Sequence, residues 1–342
     1  MEWWQMALYI LFLLVGMVML VKGADWFVDG ASGIATKLRV PTIIVGLTIV
    51  SFGTSAPELA TSIISSAQGS ADIAVGNVIG SNITNILLIL GIASIICPLT
   101  VQKLTLRFDF FVLLGSTVLL LLLGSFDNVL GRVDGWILFI LSIIYTVALI
   151  VIAVRESKKG ATMSELNDHE VHFSSDEKGQ KGFGAWYEKM KAHAWFLTVI
   201  MLVGLALVVV GALYCVIPSA QYIAKEIGIP EKIIGLTVVA IGTSLPELVT
   251  CVIAAKKGET DIAVGDIVGS NIFNIIRTLG LSAVILPLTF QNSFIIDGLI
   301  ALGAAALLVI LGYLKGNKVR RWGGIVMLGG FVAYYVYLFA FM

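Results

Sequence analysis

Two stretches, Gly53-Thr54-Ser55-Ala56-Pro57-Glu58 and Gly242-Thr243-Ser244-Leu245-Pro246-Glu247, set two hydroxyls, a proline and a carboxylate inside runs otherwise apolar enough for a bilayer. A proline within a helix removes a backbone donor and clashes with the preceding turn, so carbonyls near Gly53 and Gly242 are expected to lose their partners. Lipid offers nothing to satisfy them, which confines such backbone to a protein-lined or water-lined place. Freed carbonyls, hydroxyls and a carboxylate make an oxygen-rich set. Hard cations such as calcium and sodium take oxygen ligands.

A second motif, Gly-Ser-Asn-Ile-x-Asn, follows each of the first. Ser81 and Asn85 are four residues apart, as are Ser270 and Asn274, so each pair shares one helix face. An ionised side chain costs about 2.5 to 3.5 kcal/mol at the bilayer centre, so two glutamates ask for about 5 to 7 kcal/mol of compensation from cations or protons. Two negative charges suit one calcium ion or two sodium ions. A third sodium would leave the loaded site at net +1 and make its crossing sensitive to voltage.

The elements that must hold these groups follow from a repeat. Residues 41–100 recur without a gap at 230–289, a constant offset of 189, and more than half of the aligned pairs are identical. Gly76, Gly80 and Gly91, repeated as Gly265, Gly269 and Gly280, would let helices approach closely. With 58% hydrophobic residues, 13% charged residues and a mean hydropathy of +0.98, the chain is too apolar for a water-soluble domain of 342 residues. The partner it implies is the lipid bilayer; nothing in it points to nucleic acid or to an obligate protein partner. The first apolar run reads as an anchor, not as a cleaved leader. Cys97, Cys215 and Cys251 lie in or beside apolar runs and are read as packing residues.

Apolar stretches of spanning length fall near 6–31, 41–67, 71–98, 106–124 and 134–154, then near 195–220, 230–255, 261–287, 294–314 and 320–341. The expected fold is an all-α polytopic membrane protein of ten transmembrane helices in two five-helix repeats, residues 1–154 and 195–342, joined by a cytoplasmic loop at 155–194. With the N-terminus outside, seventeen Lys and Arg fall on the inner side and only Arg132, Lys225 and Lys232 on the outer. Equivalent links carry opposite charge character: SAQGSAD after the second helix of one half, AAKKGETD after that of the other. An odd number of helices per half inverts the second repeat, the plan of many secondary transporters.

Other readings compete at single positions. Asp72 and Asp261 begin the third helix of each half and read as N-caps. Asn82 and Asn271 project about 100° away from the preceding serines and are expected to bond to backbone. Arg277, whose repeat mate is Leu88, either pairs with a site glutamate or reaches toward the outer interface. The Asp168-His169-Glu170-x-His172 cluster in the loop reads as solvated linker. Gly265-Asp266 hints weakly at an intramembrane aspartyl protease, but the matching residue is Asn77 and that chemistry needs a second aspartate. The residues do not separate a carrier from a passive cation channel, though repeats around a mid-membrane site favour the carrier.

At these motifs the chain closely resembles the cation/calcium exchanger superfamily, and within it the compact prokaryotic sodium/calcium exchangers with two alpha repeats. The resemblance implies a calcium/sodium antiporter of the plasma membrane, not an enzyme, with calcium and sodium as transported ions and no cofactor. It implies that Glu58 and Glu247 hold calcium and sodium in turn, aided by Thr54, Ser55, Ser81, Thr243, Ser244 and Ser270, with Ser51 and Ala240 offering carbonyl oxygen. Many members carry Asp where Asn85 or Asn274 stands here, and potassium-dependent members have an acid at the latter. Two carboxylates and no third are therefore expected, without potassium co-transport. A calcium/proton antiporter on the same glutamates is the alternative.

Overall fold

The computed structural model describes residues 3–38, 44, 46–67, 71–159, 193–226, 240–314 and 316–341. Expectations that fall on residues 160–192, including His169 and His172, and on residues 227–239 lie outside the described residues. The described residues are almost wholly helical. Among them, seven helices are long and apolar enough to cross a membrane: Trp4–Ile34, Ala74–Ile96, Thr105–Asp127, Arg132–Ile152, Ala194–Cys215, Thr260–Ile285 and Asn292–Tyr313. The expected span at 41–67 is broken into Ser51–Thr54 and Ala56–Ala67, and that at 230–255 into Ala240–Thr243 and Leu245–Lys256. The expected span at 320–341 is the helix Arg321–Phe341.

The first helix, α1 (Trp3–Leu38), lies along Ala194–Val210, and glycine decides how closely. A methyl on Gly204 would sit 2.5 Å from the Gly23 carbonyl oxygen and 2.6 Å from the Phe27 nitrogen, so the two backbones touch there. At the far end of the same crossing, a methyl on Gly211 would lie 3.0 Å from Met19 Cβ and 3.2 Å from the Gly16 oxygen. The pair is tied to the rest through Lys257, 2.6 Å from both Asp25 and Asp29, and through Ser32, whose hydroxyl donates to Glu259 at 2.7 Å. Partial burial pulls the Lys257 ammonium down, but the two carboxylates raise it above the ordinary lysine value.

Elsewhere the two halves interlock, and most contacts occur twice with the halves exchanged. Strand β1 (Leu99–Thr100) pairs antiparallel with residues 318–319 of the other half, while β2 (Val129–Leu130) pairs with residues 288–289. Gln102 donates to Asp261, and Gln291 donates to Asp72 at 2.7 Å. This corrects the N-cap reading: Asp72 and Asp261 stand inside the first turns of Ala71–Thr84 and Thr260–Phe273, where a glutamine from the opposite half takes each carboxylate.

Flanking the core, Tyr145 donates to Asp109 at 2.9 Å and Tyr334 donates to Asp297 at 3.2 Å. The two tyrosines are 189 residues apart, but the aspartates are 188 apart. A π-helical turn at Thr105–Asp109 accounts for the difference, because it uses one residue more per turn than the plain helix at Asn292–Tyr313.

Candidate cation site

Each broken helix turns at a motif serine. Ser55 has φ −80° and ψ 7°, and Ser244 has φ −84° and ψ 5°. The helices restart there, with Leu59 N donating to Ser55 O at 3.1 Å and Leu248 N donating to Ser244 O at 3.0 Å. Pro57 and Pro246 are the second residues of the restarted pieces, where an N–H would have had no intrahelical partner. The proline therefore permits the break at little cost and sets Glu58 and Glu247 in the first turn beyond it.

The two breaks meet across the halves. Ser55 Oγ donates to Glu247 Oε1 at 3.0 Å, and Ser244 Oγ donates to Glu58 Oε1 at 3.2 Å. The third helices seal the place with amides: Asn82 donates to the Asn271 carbonyl at 3.1 Å and Asn271 to the Asn82 carbonyl at 3.2 Å, the backbone bonding expected of them. Asn85 Nδ2 then donates to Asn271 Oδ1 at 3.0 Å, and Asn274 Nδ2 to Asn82 Oδ1 at 3.3 Å. A π-helical turn begins at each of those asparagines, over Asn85–Leu90 and Asn274–Leu279.

These bonds use one oxygen of each glutamate and the nitrogens of the asparagines. Left with no hydrogen-bond partner are Glu58 Oε2, Glu247 Oε2, Asn85 Oδ1, Asn274 Oδ1 and Ser81 Oγ, all sealed from solvent. A buried polar atom without a partner costs about 1 to 3 kcal/mol, more for a charged group, so five in the motifs of one fold call for something electropositive. The donor set is oxygen throughout, which fits calcium or sodium and not a soft metal. Of the remaining expected residues, Thr54, Thr243, Ser51 and Ser270 are buried in the same region. Ser270 Oγ reaches the Ser51 carbonyl at 3.5 Å, and Ala240 opens the short helix that leads to Thr243.

Two findings add to the sequence reading. A further acid lies beside the motif residues: Asp266 is fully buried, and receives Thr54 Oγ1 at 2.9 Å on one oxygen and Thr250 Oγ1 at 2.8 Å on the other. The signal is present in the sequence, since Asp266, Ser270 and Asn274 are spaced by four and share one helix face. Arg277 does not pair with a site glutamate among the described residues. Its guanidinium donates to Thr146 at 3.0 Å and lies 4.1 Å from the Phe273 ring centre and 4.8 Å from that of Phe52, held by ring faces and a hydroxyl.

Known proteins resemble this chain along nearly its whole length. Residues 8–151 and 196–340 match the family described as sodium/calcium exchanger protein. Over 352 aligned positions the chain is 36% identical to the sodium/calcium exchanger MaX1 of Methanosarcina acetivorans, covering 96% of this chain and 98% of that one. It is 34% identical to the inner membrane protein YrbG of Escherichia coli, covering 96% and 95%. Among solved structures it superposes on the sodium-calcium exchanger NCX_Mj with a TM-score of 0.78 at 29% identity, over 96% of this chain and 98% of the other. The chain is a membrane-spanning member of the sodium/calcium exchanger protein family.

Proposed function

We propose that this protein is a secondary antiporter that exchanges calcium for sodium across the plasma membrane, holding the ions alternately between Glu58 and Glu247. The observation that carries the reading is the set of buried, unpartnered oxygens contributed by both halves, Glu58 Oε2, Asn85 Oδ1 and Ser81 Oγ from one, Glu247 Oε2 and Asn274 Oδ1 from the other. Thr54, Ser55, Thr243, Ser244 and Ser270, with the backbone at Ser51 and Ala240, complete the ligand set. A ten-helix plan with the second half inverted, N-terminus outside and the 155–194 loop in the cytoplasm, places that site near mid-membrane, and the exchanged contacts between halves support it. Helix α1 and its neighbour Ala194–Val210 then form the layer that slides over the core. The relatives MaX1 and NCX_Mj carry sodium/calcium exchange in their names.

Purified protein in proteoliposomes, with pH equal on both sides and the membrane potential fixed, is expected to take up calcium when sodium is higher inside than outside. Calcium uptake that ignores the sodium gradient but follows an imposed pH gradient would replace this reading by calcium/proton antiport on the same glutamates, which lose their charge readily when desolvated.

A further inference from the structure

The two halves build the same scaffold around the motif threonines with chemically different residues. In the first half Asn77 accepts a hydrogen bond from Thr243 on Oδ1 at 3.1 Å and donates from Nδ2 to Ser62 at 3.3 Å. In the second half the equivalent residue is Asp266, which accepts from Thr54 at 2.9 Å and from Thr250 at 2.8 Å. Both residues are buried, on the third helix of their half, one turn before the motif serine. A neutral amide is enough to hold Thr243 in place. The charge of Asp266 is therefore more than the scaffold requires, and a lone negative charge sealed inside a membrane protein is strongly unfavourable unless something positive answers it. No Lys or Arg pairs with it among the described residues. What lies next to it is Thr54, one turn from Glu58, and beyond that the unpartnered oxygens.

We infer that Asp266 is a third acidic group of the cation site, present in one half only, whose charge sets the balance between calcium and sodium. It acts through position and field, held in place by a threonine hydroxyl on each of its oxygens. The inference rests on the exchange reading above. Its distinctive consequence is a power law. A fixed charge attracts an ion in proportion to the ion's own charge, so removing it weakens calcium by the square of the factor by which it weakens each sodium ion.

The test compares half-saturation by calcium, read from counterflow of labelled calcium, with half-saturation by sodium, read from its inhibition of that flux, in proteoliposomes at fixed pH and potential. Asp266→Asn is close in shape and copies the residue that already stands at position 77 in the other half. It is expected to raise the sodium value about fivefold and the calcium value about twenty-fivefold. The double substitution Asn77→Asp with Asp266→Asn moves the acid to the other half and is expected to bring both values back toward wild type. Should Asp266→Asn not yield folded protein, Asn77→Asp alone carries the test, with calcium tightened by the square of the sodium factor. Unchanged half-saturations, equal factors for the two ions, or a swap that restores neither would overturn the inference while leaving sodium-driven exchange by the wild type intact. A wild-type protein without that exchange would overturn the functional reading and this one together.

Discussion

Set side by side, the two halves agree in their oxygens and disagree in their charges. Ser55 reaches Glu247 as Ser244 reaches Glu58, and Asn82 and Asn271 trade backbone bonds. Against this, Asn77 corresponds to Asp266, Leu88 to Arg277, and Gln68 to the Lys257 that holds Asp25 and Asp29. Ligand atoms must converge on one ion from both sides, so neither half can change them alone. Charges act over longer distances and need only sum to a workable total, which leaves each half free to carry its own. The two kinds of residue answer to different constraints, and the duplication separates them.

If the halves contribute equally to ligation, Glu58→Gln and Glu247→Gln should each reduce sodium-driven calcium uptake to background while leaving folded, inserted protein; a near wild-type rate in either would remove that glutamate from the site. A smaller difference is expected at the crossing of α1 with Ala194–Val210. Gly204→Ala forces a methyl onto backbone and should lower stability by about 1 to 3 kcal/mol, read as a lower midpoint of thermal unfolding in detergent. Gly211→Ala, whose methyl would lie 3.0 Å from Met19 Cβ and 3.2 Å from the Gly16 oxygen, is less crowded and should cost less, with alanine's better helix propensity, about 0.8 to 1 kcal/mol, offsetting part of the strain. Equal midpoints would show that the two ends of the crossing are equally loose. The smallest effect on ion exchange belongs to Arg277→Leu, which copies Leu88. Losing two ring contacts and one hydrogen bond should cost about 1 to 2 kcal/mol. The calcium gradient reached under an imposed potassium-diffusion potential should keep its voltage dependence. A change in that dependence would put the guanidinium within reach of the ions after all.

Much of the site is legible in the sequence because repetition marks it. The two proline-broken motifs, the serine and asparagine four apart, and the backbone role of Asn82 and Asn271 all need only spacing and the rule that lipid satisfies nothing. Asp266 escapes when it is weighed against Asn77 as half of a catalytic pair. Extending the Ser270–Asn274 face back one turn brings it in. Arg277 is beyond reach: its surroundings are assembled from Phe52 and Thr146, far away along the chain, and no local pattern announces a guanidinium between rings. The glutamine partners of Asp72 and Asp261 come from the opposite half, and a capping rule written for one helix cannot see them.

The wide turn at Thr105–Asp109 rephases everything that follows it on its helix by one position, about 100° of rotation. Numbering alone would place Phe108 opposite Asp297, turning a carboxyl toward the wrong neighbours. Rotated, the helix presents Asp109 to Tyr145 as its twin presents Asp297 to Tyr334. The second half regains the residue between Asp297 and Asn317, so that Asn128 and Asn317, both with positive φ, again stand 189 apart. Between those two points the numbering of the fourth helices runs one residue out of step while their faces stay matched, so the wide turn is what keeps each carboxyl on its tyrosine.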